Sequence, residues 1–493
     1  MKKRTVSSKK QKRNHQKTKT AAAQRMHSSS SSSSSVDDVL AAAENAMTAM
    51  DMEQALKLYD SAAAMLRTGK FPTLQTRERS LIIVLEKLGE IKVSMGDPLG
   101  AKSDFEQSLR LLQDEEEQQQ QQNPQPTDDL FYHETKASLH LYLGQLSSDQ
   151  QALESILQGI TSLKSCLDMI SSSSSSAIVA PGLSTATGNR MEEQTLNDDV
   201  QSTKEKLRDE FQRKLSGAYC SVAELYLTDL CFEPDAETRC ETYVGSALEL
   251  KDGQSRPFVD ALQTMASLRL SQEEPKRLEA VAFILQAYDK MKIGCEALAD
   301  LVGLLDKSGV DGDRDNQEQE QALELKDVDA ANNLPEFEFR CQTAKLLLEC
   351  AALCGHEFPS CCKVGEKELL QQQAEQCVDA AISVLGSLLA QNDEVIEIWY
   401  LTGCAFAAKN PPVKDIACHH WMTALDMLRK NQKILSEEVD RMIAIGDADE
   451  DEEENIQAQL EDYATQIEDV QTKLNGFVDE SEETVESLEK MEE

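Results

Sequence analysis

The sequence lacks long apolar runs and has few of the side chains that build most active sites. It contains no uninterrupted apolar stretch of about 18 residues, the minimum for a membrane-spanning helix, so we expect no membrane span. Its N-terminus opens with lysines but has no apolar core of the kind that a secretory signal peptide needs. These two absences favour a protein of the cytoplasm and the nucleus.

Catalytic signatures are missing as well. No phosphate-binding glycine loop, nucleophile elbow, paired zinc-finger spacing or metalloprotease helix occurs in the sequence. The seven histidines are scattered, and the pair His419 and His420 has no serine or carboxylate context that would make either ring a general base. We interpret this pair as part of a helix surface and predict a protein that is not an enzyme and needs no cofactor.

Two segments resemble metal sites only in part. Asp311, Asp313 and Asp315 are spaced like calcium ligands, but a calcium loop needs glycine and glutamate where this chain has Asn316 and Ala322. A second segment is rich in zinc-ligand types, yet its spacing matches no paired Cys-x-x-Cys arrangement. Its members are Cys350, Cys354, His356, Cys361 and Cys362. We therefore predict no metal and interpret the cysteines as reduced, buried thiols.

The net charge is strongly negative. Acidic residues outnumber basic ones by 88 to 50, which gives a formal net charge of −38 and a sequence pI near 4.6. Half of this excess lies in residues 436–493, where 22 acidic residues face three basic ones. Such a chain repels nucleic-acid phosphates and anionic membranes, and it favours basic partners.

The N-terminus has the opposite sign. Residues 1–25 hold ten lysines and arginines and no acidic residue, and a serine run follows, so we predict that residues 1–35 are disordered. The cluster from Lys9 to Arg13 fits a nuclear localisation signal and hence contact with a nuclear import factor. The alternative is a tail that merely improves solubility or contacts RNA loosely.

Helical hairpins dominate the rest of the chain. Residues 396–428 contain two apolar helical faces separated by Pro411 and Pro412. An aromatic residue, a glycine four positions later and a small–aromatic–small ridge on the second helix follow the tetratricopeptide pattern. The positions that fit are Trp399, Gly403, Phe406, Ala417, Trp421 and Ala424. A second good match lies nearer the N-terminus, at Gly89, Ala101 and Phe105.

These repeats predict an all-α protein, a tetratricopeptide-like superhelical solenoid of about six to seven helical hairpins. The array spans residues 36–430 and is interrupted by disordered, low-complexity insertions at about 113–129, 171–202 and 306–334. Residues 431–493 form an acidic C-terminal region. Within it, apolar residues recur every three or four positions and predict a capping helix at about 455–476. The alternative for this helix is a coiled-coil partner site, although we expect a monomer.

Stacked hairpins present the first helix of each repeat on a concave face that binds extended peptides. In the predicted register this face carries carboxylates and one aromatic ring, which suits a segment rich in lysine and arginine. The candidate partner-binding residues are Glu86, Glu90, Glu224, Asp229, Glu349, Glu397 and Tyr400. Each of these carboxylates could equally be an ordinary solvated charge on a helix.

Five features together resemble a known family. They are the basic N-terminus, the Ala55-x3-Tyr59 pair, the stretch AELYLTDLCFEPDAETRCE from Ala223 to Glu241, the stretch EIWYLTGCAF from Glu397 to Phe406, and the acidic C-terminus. In this combination the chain resembles the tetratricopeptide-repeat assembly chaperones of large-subunit ribosomal protein four, over residues 36–430. The three insertions depart from the family in length.

The resemblance implies a dedicated chaperone. Such a protein holds a basic, extended segment of the newly made ribosomal protein and supports its delivery to the nucleus and its assembly into the large ribosomal subunit. From the residues alone, an acidic nuclear histone chaperone with tetratricopeptide repeats is the alternative, because histones are basic clients too. Neither interpretation requires direct contact with nucleic acid or membrane.

Overall fold

The structure is a computed structural model that describes residues 35–69, 74–122, 130–172, 190–273, 276–304, 330–356, 364–445 and 450–492. The described residues form α-helices joined by turns, with an isolated backbone bridge between Lys251 and Pro257. The predicted all-α class is therefore confirmed. Of the described helices, none combines the length and apolar character that crossing a membrane requires. The chain divides into two compact units, Met1–Ser173 and Ser174–Glu493.

The first unit consists of three successive helical hairpins in its described part. Its helices are α1 (Val36–Thr48), α2 (Met52–Thr68), α3 (Leu74–Ser94), α4 (Pro98–Gln122), α5 (Leu130–Gln145) and α6 (Asp149–Ser172). Each odd-numbered helix packs against the helix that follows it, and the second helix of a hairpin also contacts the first helix of the next. This nearest-neighbour pattern is typical of repeat proteins.

Local sequence explains where these helices begin. Ser35 caps α1, because its hydroxyl accepts the Asp38 N–H at 3.2 Å while the Asp38 carboxylate accepts the Ser35 N–H at 3.1 Å. Pro98 is the first residue of α4, and the Asp97 carboxylate caps that helix by accepting the Gly100 N–H at 2.9 Å. These side chains satisfy backbone donors that have no partner within the helix.

Small residues set the spacing of the hairpins. A Cβ atom added at Gly89 would lie 2.4 Å from Phe105 Cε1, and one added at Gly144 would lie 2.5 Å from Ile156 Cγ1. Ala101 and Phe105 are both fully buried. The glycines therefore allow a large side chain of the second helix to lie directly against the backbone of the first.

The second unit contains four hairpins and one further long helix in its described part. Its helices are α7 (Arg190–Leu227), α8 (Ala236–Glu249), α9 (Val259–Ser271), α10 (Lys276–Leu301), α11 (Phe337–His356), α12 (Val364–Gln391), α13 (Ile396–Ala407), α14 (Lys414–Ile445) and α15 (Glu450–Glu492). Helices α7 to α14 pair in sequence as hairpins, and α10 also packs extensively on α12. A single cluster of buried side chains runs from α9 to α15.

Helix α15 packs on the last hairpin. Val470 is 2% exposed, and the Phe477 ring contacts Trp421 of α14 edge to face with ring centroids 5.2 Å apart. Tyr463, Ile467 and other members of the predicted apolar stripe pack against the same cluster. Within the described residues the stripe therefore faces the chain's own last hairpin.

Several helices extend past their predicted boundaries. Helix α4 continues through the glutamate and glutamine run to Gln122, because both residue types have good helix propensity. Helix α7 already begins at Arg190, inside the predicted insertion at 171–202, and α14 continues beyond residue 430 to Ile445. Helix α15 passes Gly476 and ends at Glu492, since one glycine costs a helix only about 1 kcal/mol. Low sequence complexity was thus a poor guide to where a helix ends.

Some predictions lie outside the described residues. They concern the basic N-terminal segment with its nuclear signal, the parts of the insertions at 123–129, 173–189 and 306–329, and the calcium-like aspartates of the last of these. Cys361 and Cys362 also lie outside, as does the side chain of His356.

Candidate functional site

In the first unit, Glu90 is held by two partners. The carboxylate accepts hydrogen bonds from Lys87 Nζ at 2.6 Å and from the Tyr142 hydroxyl at 3.0 Å. Burial and then the charge of Glu90 raise the pKa of Tyr142, and the half-buried Glu86 adds to this effect. The Tyr142 ring stacks on Phe105 at a centroid distance of 4.8 Å. The hairpin core thus fixes the position of Glu90.

Lys87 makes this face less acidic than the sequence predicts. Burial alone would lower the pKa of Lys87, but its hydrogen bond to Glu90 and the neighbouring carboxylates raise it overall, so the ammonium group stays charged. An incoming cation must therefore compete with Lys87 for Glu90. Glu44 of α1 adds a further negative charge near this group. The pKa of Tyr59 shows this, because burial raises it most and the Glu44 charge raises it next. Lys87 lowers the same pKa, and Glu90 raises it.

In the second unit, Glu224 of α7 interacts with Asp260 of α9. The surrounding protein atoms raise the pKa of Glu224, and the Asp260 carboxylate raises it further. The Glu224 side chain is nevertheless exposed to solvent. Nearby protein atoms therefore disfavour the charged form of Glu224 although its side chain reaches solvent. Glu224 was predicted from the sequence, whereas Asp260 was missed.

Asp260 has opposing neighbours. Desolvation raises its pKa, Arg213 and Lys290 lower it, and Glu336 raises it again. Lys290 is itself bound by the Asp252 carboxylate at 2.6 Å, which reduces its effect on Asp260. The raised pKa of Asp260 means that the local cations do not fully compensate its desolvation.

Two buried polar side chains accompany Asp260 on α9. Asp260, Gln263 and Thr264 follow one another at helical spacing, so they share a face of the helix. Thr264 forms a side-chain hydrogen bond with Glu224, and Gln263 accepts one from the Thr343 hydroxyl of α11 at 2.9 Å. Polar residues at i, i+3 and i+4 of an otherwise apolar first helix were a signal that could have identified Asp260 from sequence.

The remaining predicted carboxylates do not join this pair. Glu349 lies 3.8 Å from the Arg277 guanidinium, and Glu397 lies 2.7 Å from Lys345 Nζ. Asp229 is exposed in the turn that follows α7 rather than on the helix itself. Glu349 and Glu397 thus have intramolecular cation partners, whereas the charged neighbour of Glu224 is the carboxylate of Asp260.

Tyr400 is covered by α15. Its hydroxyl donates a hydrogen bond to the Asp469 carboxylate at 2.7 Å, and Lys473 Nζ lies 5.6 Å from the centre of its ring. Burial, followed by the bond to Asp469, raises the pKa of Tyr400. The hydroxyl and one face of the ring are therefore engaged within the chain.

The aromatic and glycine positions of the last hairpin lie in its core. A Cβ atom added at Gly403 would lie 2.4 Å from Trp421 Cδ1, and Trp421 Nε1 donates to the Tyr400 carbonyl at 3.2 Å. Trp399 is half-buried, and its indole N–H donates to the Asp393 carbonyl at 2.7 Å. These residues position the helices and present no reactive group.

No metal centre is formed by the part of the chain that the structure describes. No group of three or more histidine, cysteine, aspartate or glutamate side chains is arranged there to hold an ion. Cys350 and Cys354 are buried, and burial raises the pKa of the Cys350 thiol, which keeps it protonated.

Comparison with known proteins gives one informative match. No protein-family model matches the chain. The "Probable assembly chaperone of rpl4" of Schizosaccharomyces pombe is 27% identical over 203 residues, which are 41% of this chain and 42% of that protein. The match thus spans less than half of the relative's length, and the chain resembles the rpl4 assembly chaperones over that part.

A comparison of structures gives a weaker match. A chain of the "Structure of Naa15/Naa10 bound to HypK-THB" aligns with 86% of this chain and 89% of its own length, at 13% identity and with a TM-score of 0.18. The low TM-score means that no functional argument follows from this alignment.

Proposed function

We propose that this chain is a dedicated chaperone for large-subunit ribosomal protein four. It binds a basic, extended segment of the newly made protein and supports assembly of the large ribosomal subunit. The observation that carries the proposal is the similarity to the fission yeast protein named as a probable assembly chaperone of rpl4. The negative charge of the chain and its tetratricopeptide-like hairpins are consistent with that role.

Glu224 and Asp260 are the residues that we propose for contact with the client. Desolvation is the main cause that raises the pKa of each carboxyl, and the Asp260 charge raises the pKa of Glu224 further, so neither ionised group has a full counter-charge. A lysine or arginine side chain placed between them would remove the repulsion and supply the missing counter-charge. Because the helices that carry them are already packed in hairpins, the chaperone loses little conformational freedom on binding.

We also propose that the protein acts in both the cytoplasm and the nucleus as a monomer. The basic N-terminal segment supports this proposal, because it has the composition of a signal read by nuclear import factors. A chaperone that joins its client in the cytoplasm would then carry it through nuclear import. No enzymatic step, cofactor or direct nucleic-acid contact is part of this proposal.

The proposal can be tested with a neutral double variant, Glu224→Gln with Asp260→Asn, which keeps side-chain size and removes both charges. Its affinity for purified ribosomal protein four at physiological salt should fall about tenfold, since two partly desolvated ion pairs would be lost. The matched control is Glu368→Gln with Asp426→Asn, two exposed carboxylates on second helices, which should bind like the parent. Binding can be measured by fluorescence anisotropy of labelled client.

Two outcomes would contradict the proposal. If the parent protein fails to bind ribosomal protein four but binds core histones, the chain is the histone chaperone of the alternative prediction. If ribosomal protein four binds the double variant as tightly as the parent, Glu224 and Asp260 are not its contacts.

A further inference from the structure

A deep groove lies between the second helices α10 and α12. It has a volume of about 1100 Å³ and is closed at one side by the turn between α13 and α14. The helices cross closely at one point, where a Cβ atom added at Gly386 would lie 2.5 Å from Ala299 Cβ. Away from this crossing they separate, and the groove fills the space between Tyr288 of α10 and Asp379 of α12.

The groove continues into a second, smaller cavity of about 370 Å³. Gly303, Leu304, Phe406 and Ile416 line both, so the two form one continuous depression. We refer to the two cavities together as the α10–α12 groove. At about 1100 Å³, the larger cavity alone lies just above the usual range of about 300–1,000 Å³ for ligand sites.

Apolar side chains in and beside the groove are left exposed. Ile416 is 39% exposed in its wall, and Val302 is 40% exposed in the smaller cavity. Leu301, next to Val302 in the chain, is 77% exposed. When a partner covers exposed apolar residues, binding is stabilised by roughly 25 cal/mol for each Å² of apolar area removed from water.

The charged side chains of the groove favour a partner of positive charge. Glu296 lies 3.8 Å from Lys292, and Asp379 lies 3.0 Å from Lys409. Asp289, which is exposed in the wall, forms no ion pair with any described residue. Three carboxylates therefore face two lysines, and Asp289, the uncompensated one, lines the same cavity as the exposed Ile416.

We infer that the α10–α12 groove docks an extended peptide segment of a partner protein, in which a bulky apolar residue is flanked by lysine or arginine. The apolar residue covers Ile416, and the basic residue pairs with Asp289, which lines the same cavity. A nucleic-acid backbone or an acidic peptide would meet the unpaired carboxylate and be repelled. The groove is lined by α10, α12, α13 and α14 and their turns, whereas Glu224 and Asp260 lie on α7 and α9, so this inference is independent of the proposed function.

The test is a selection of randomised peptides of about 12 residues on the immobilised full-length chain. The selected peptides should contain an apolar residue flanked by lysine or arginine. Their affinity should fall at least tenfold for each of two groove variants, Ile416→Lys and Asp289→Lys. The matched control is Ile434→Lys, which changes an exposed isoleucine of α14 that does not line the groove, and it should bind like the parent.

Client binding must be separated from groove binding, because both sites favour basic peptides. Each selected peptide is therefore also measured on the Glu224→Gln, Asp260→Asn double variant, which should bind groove peptides normally. The inference is overturned if every selected peptide loses affinity for that double variant and keeps it for Ile416→Lys, a result that leaves the proposed function intact. It is also overturned if the chain self-associates in sedimentation velocity and Ile416→Lys abolishes the association, since the occupant is then a second copy.

Discussion

Gly403 and Trp421 determine how closely the last two hairpin helices approach. The indole ring lies where a Cβ atom of residue 403 would be, and Trp421 is 2% exposed. The same arrangement recurs in the first unit, with Phe105 against Gly89. At the scale of single residues, the repeat is thus a set of contacts between one glycine and one large side chain.

Gly403→Ala should destabilise the protein by about 1–3 kcal/mol, because the added methyl group overlaps the Trp421 ring and a packed core accommodates extra volume poorly. Gly476→Ala is the matched control. Nothing lies within 4 Å of a Cβ atom at that exposed helical position, so alanine should stabilise α15 by up to about 1 kcal/mol. Urea unfolding followed by circular dichroism measures both, and equal effects would show that Gly403 has no packing role.

The pH dependence of stability should report the raised pKa values of Glu224 and Asp260. The folded-state pKa of Glu224 is above its ordinary value of 4.5, so the ionised form is disfavoured by folding. Its charge is therefore destabilising at neutral pH, and that penalty disappears as the pH falls through the raised pKa. Asp260 behaves in the same way, because its pKa is raised too.

We accordingly expect Glu224→Gln to be more stable than the parent at pH 7, by up to about 0.5 kcal/mol because the side chain remains open to water. The difference should shrink as the pH is lowered towards about 4. Glu368→Gln, an exposed substitution on α12, should match the parent at both pH values. A gain for Glu224→Gln that is the same at every pH would contradict a raised pKa of Glu224.

At the scale of helices, α15 is the element that the hairpin pattern does not explain. It supplies Val470 and Phe477 to the core of the last hairpin and places Asp469 on Tyr400. Repeat proteins need such a polar-faced helix at their ends, because the last repeat otherwise exposes its apolar face. The consequence for function is that Tyr400 belongs to the cap contact.

Val470→Asp should detach α15, because an unpaired carboxylate in an apolar contact costs several kcal/mol and α15 can avoid that cost by undocking. Hydrogen exchange of residues 455–477 should become at least tenfold faster, and the fluorescence of Trp421 should shift to the red as Phe477 leaves. Ala464→Asp places the same charge on the exposed face of α15 and serves as control. Unchanged exchange in Val470→Asp would mean that α15 docks through other contacts.

At the scale of the whole molecule, the excess of acidic charge acts at a distance. The net charge is −38, and residues 436–493 carry half of it. Exposed charges act over a Debye length of about 10 Å at 0.1 M salt, so an acidic region attracts a basic client before contact is made. This attraction raises the association rate more than the final affinity.

Neutralising the seven acidic residues between Asp447 and Glu454 should therefore slow client association several-fold at low salt and have little effect at about 0.5 M salt, where screening shortens the range of the field. A variant in which the same eight residues are shuffled keeps the charge and should associate like the parent. Stopped-flow fluorescence measures these rates. A neutralised variant with the salt dependence of the parent would exclude this segment from client capture.

The sequence alone determines the hairpins. Spacings of three and four residues define which face of each helix is apolar, and the steps from Gly89 to Phe105 and from Gly403 to Trp421 place the contacting side chains in both helices. These signals are readable because each hairpin is built from residues close in the chain. The apolar stripe of α15 is readable for the same reason, although its end at Glu492 is not, since charged residues continue a helix without any periodic signal.

Only the tertiary structure decides which carboxylates remain available. Glu397 meets Lys345 of α11 and Glu349 meets Arg277 of α10, whereas Glu224 meets Asp260 of α9. Each of these pairs joins different hairpins, so its geometry depends on how the helices cross and has no counterpart in local periodicity. The same holds for the α10–α12 groove, which exists because two second helices meet at a glycine and an alanine and separate beyond them.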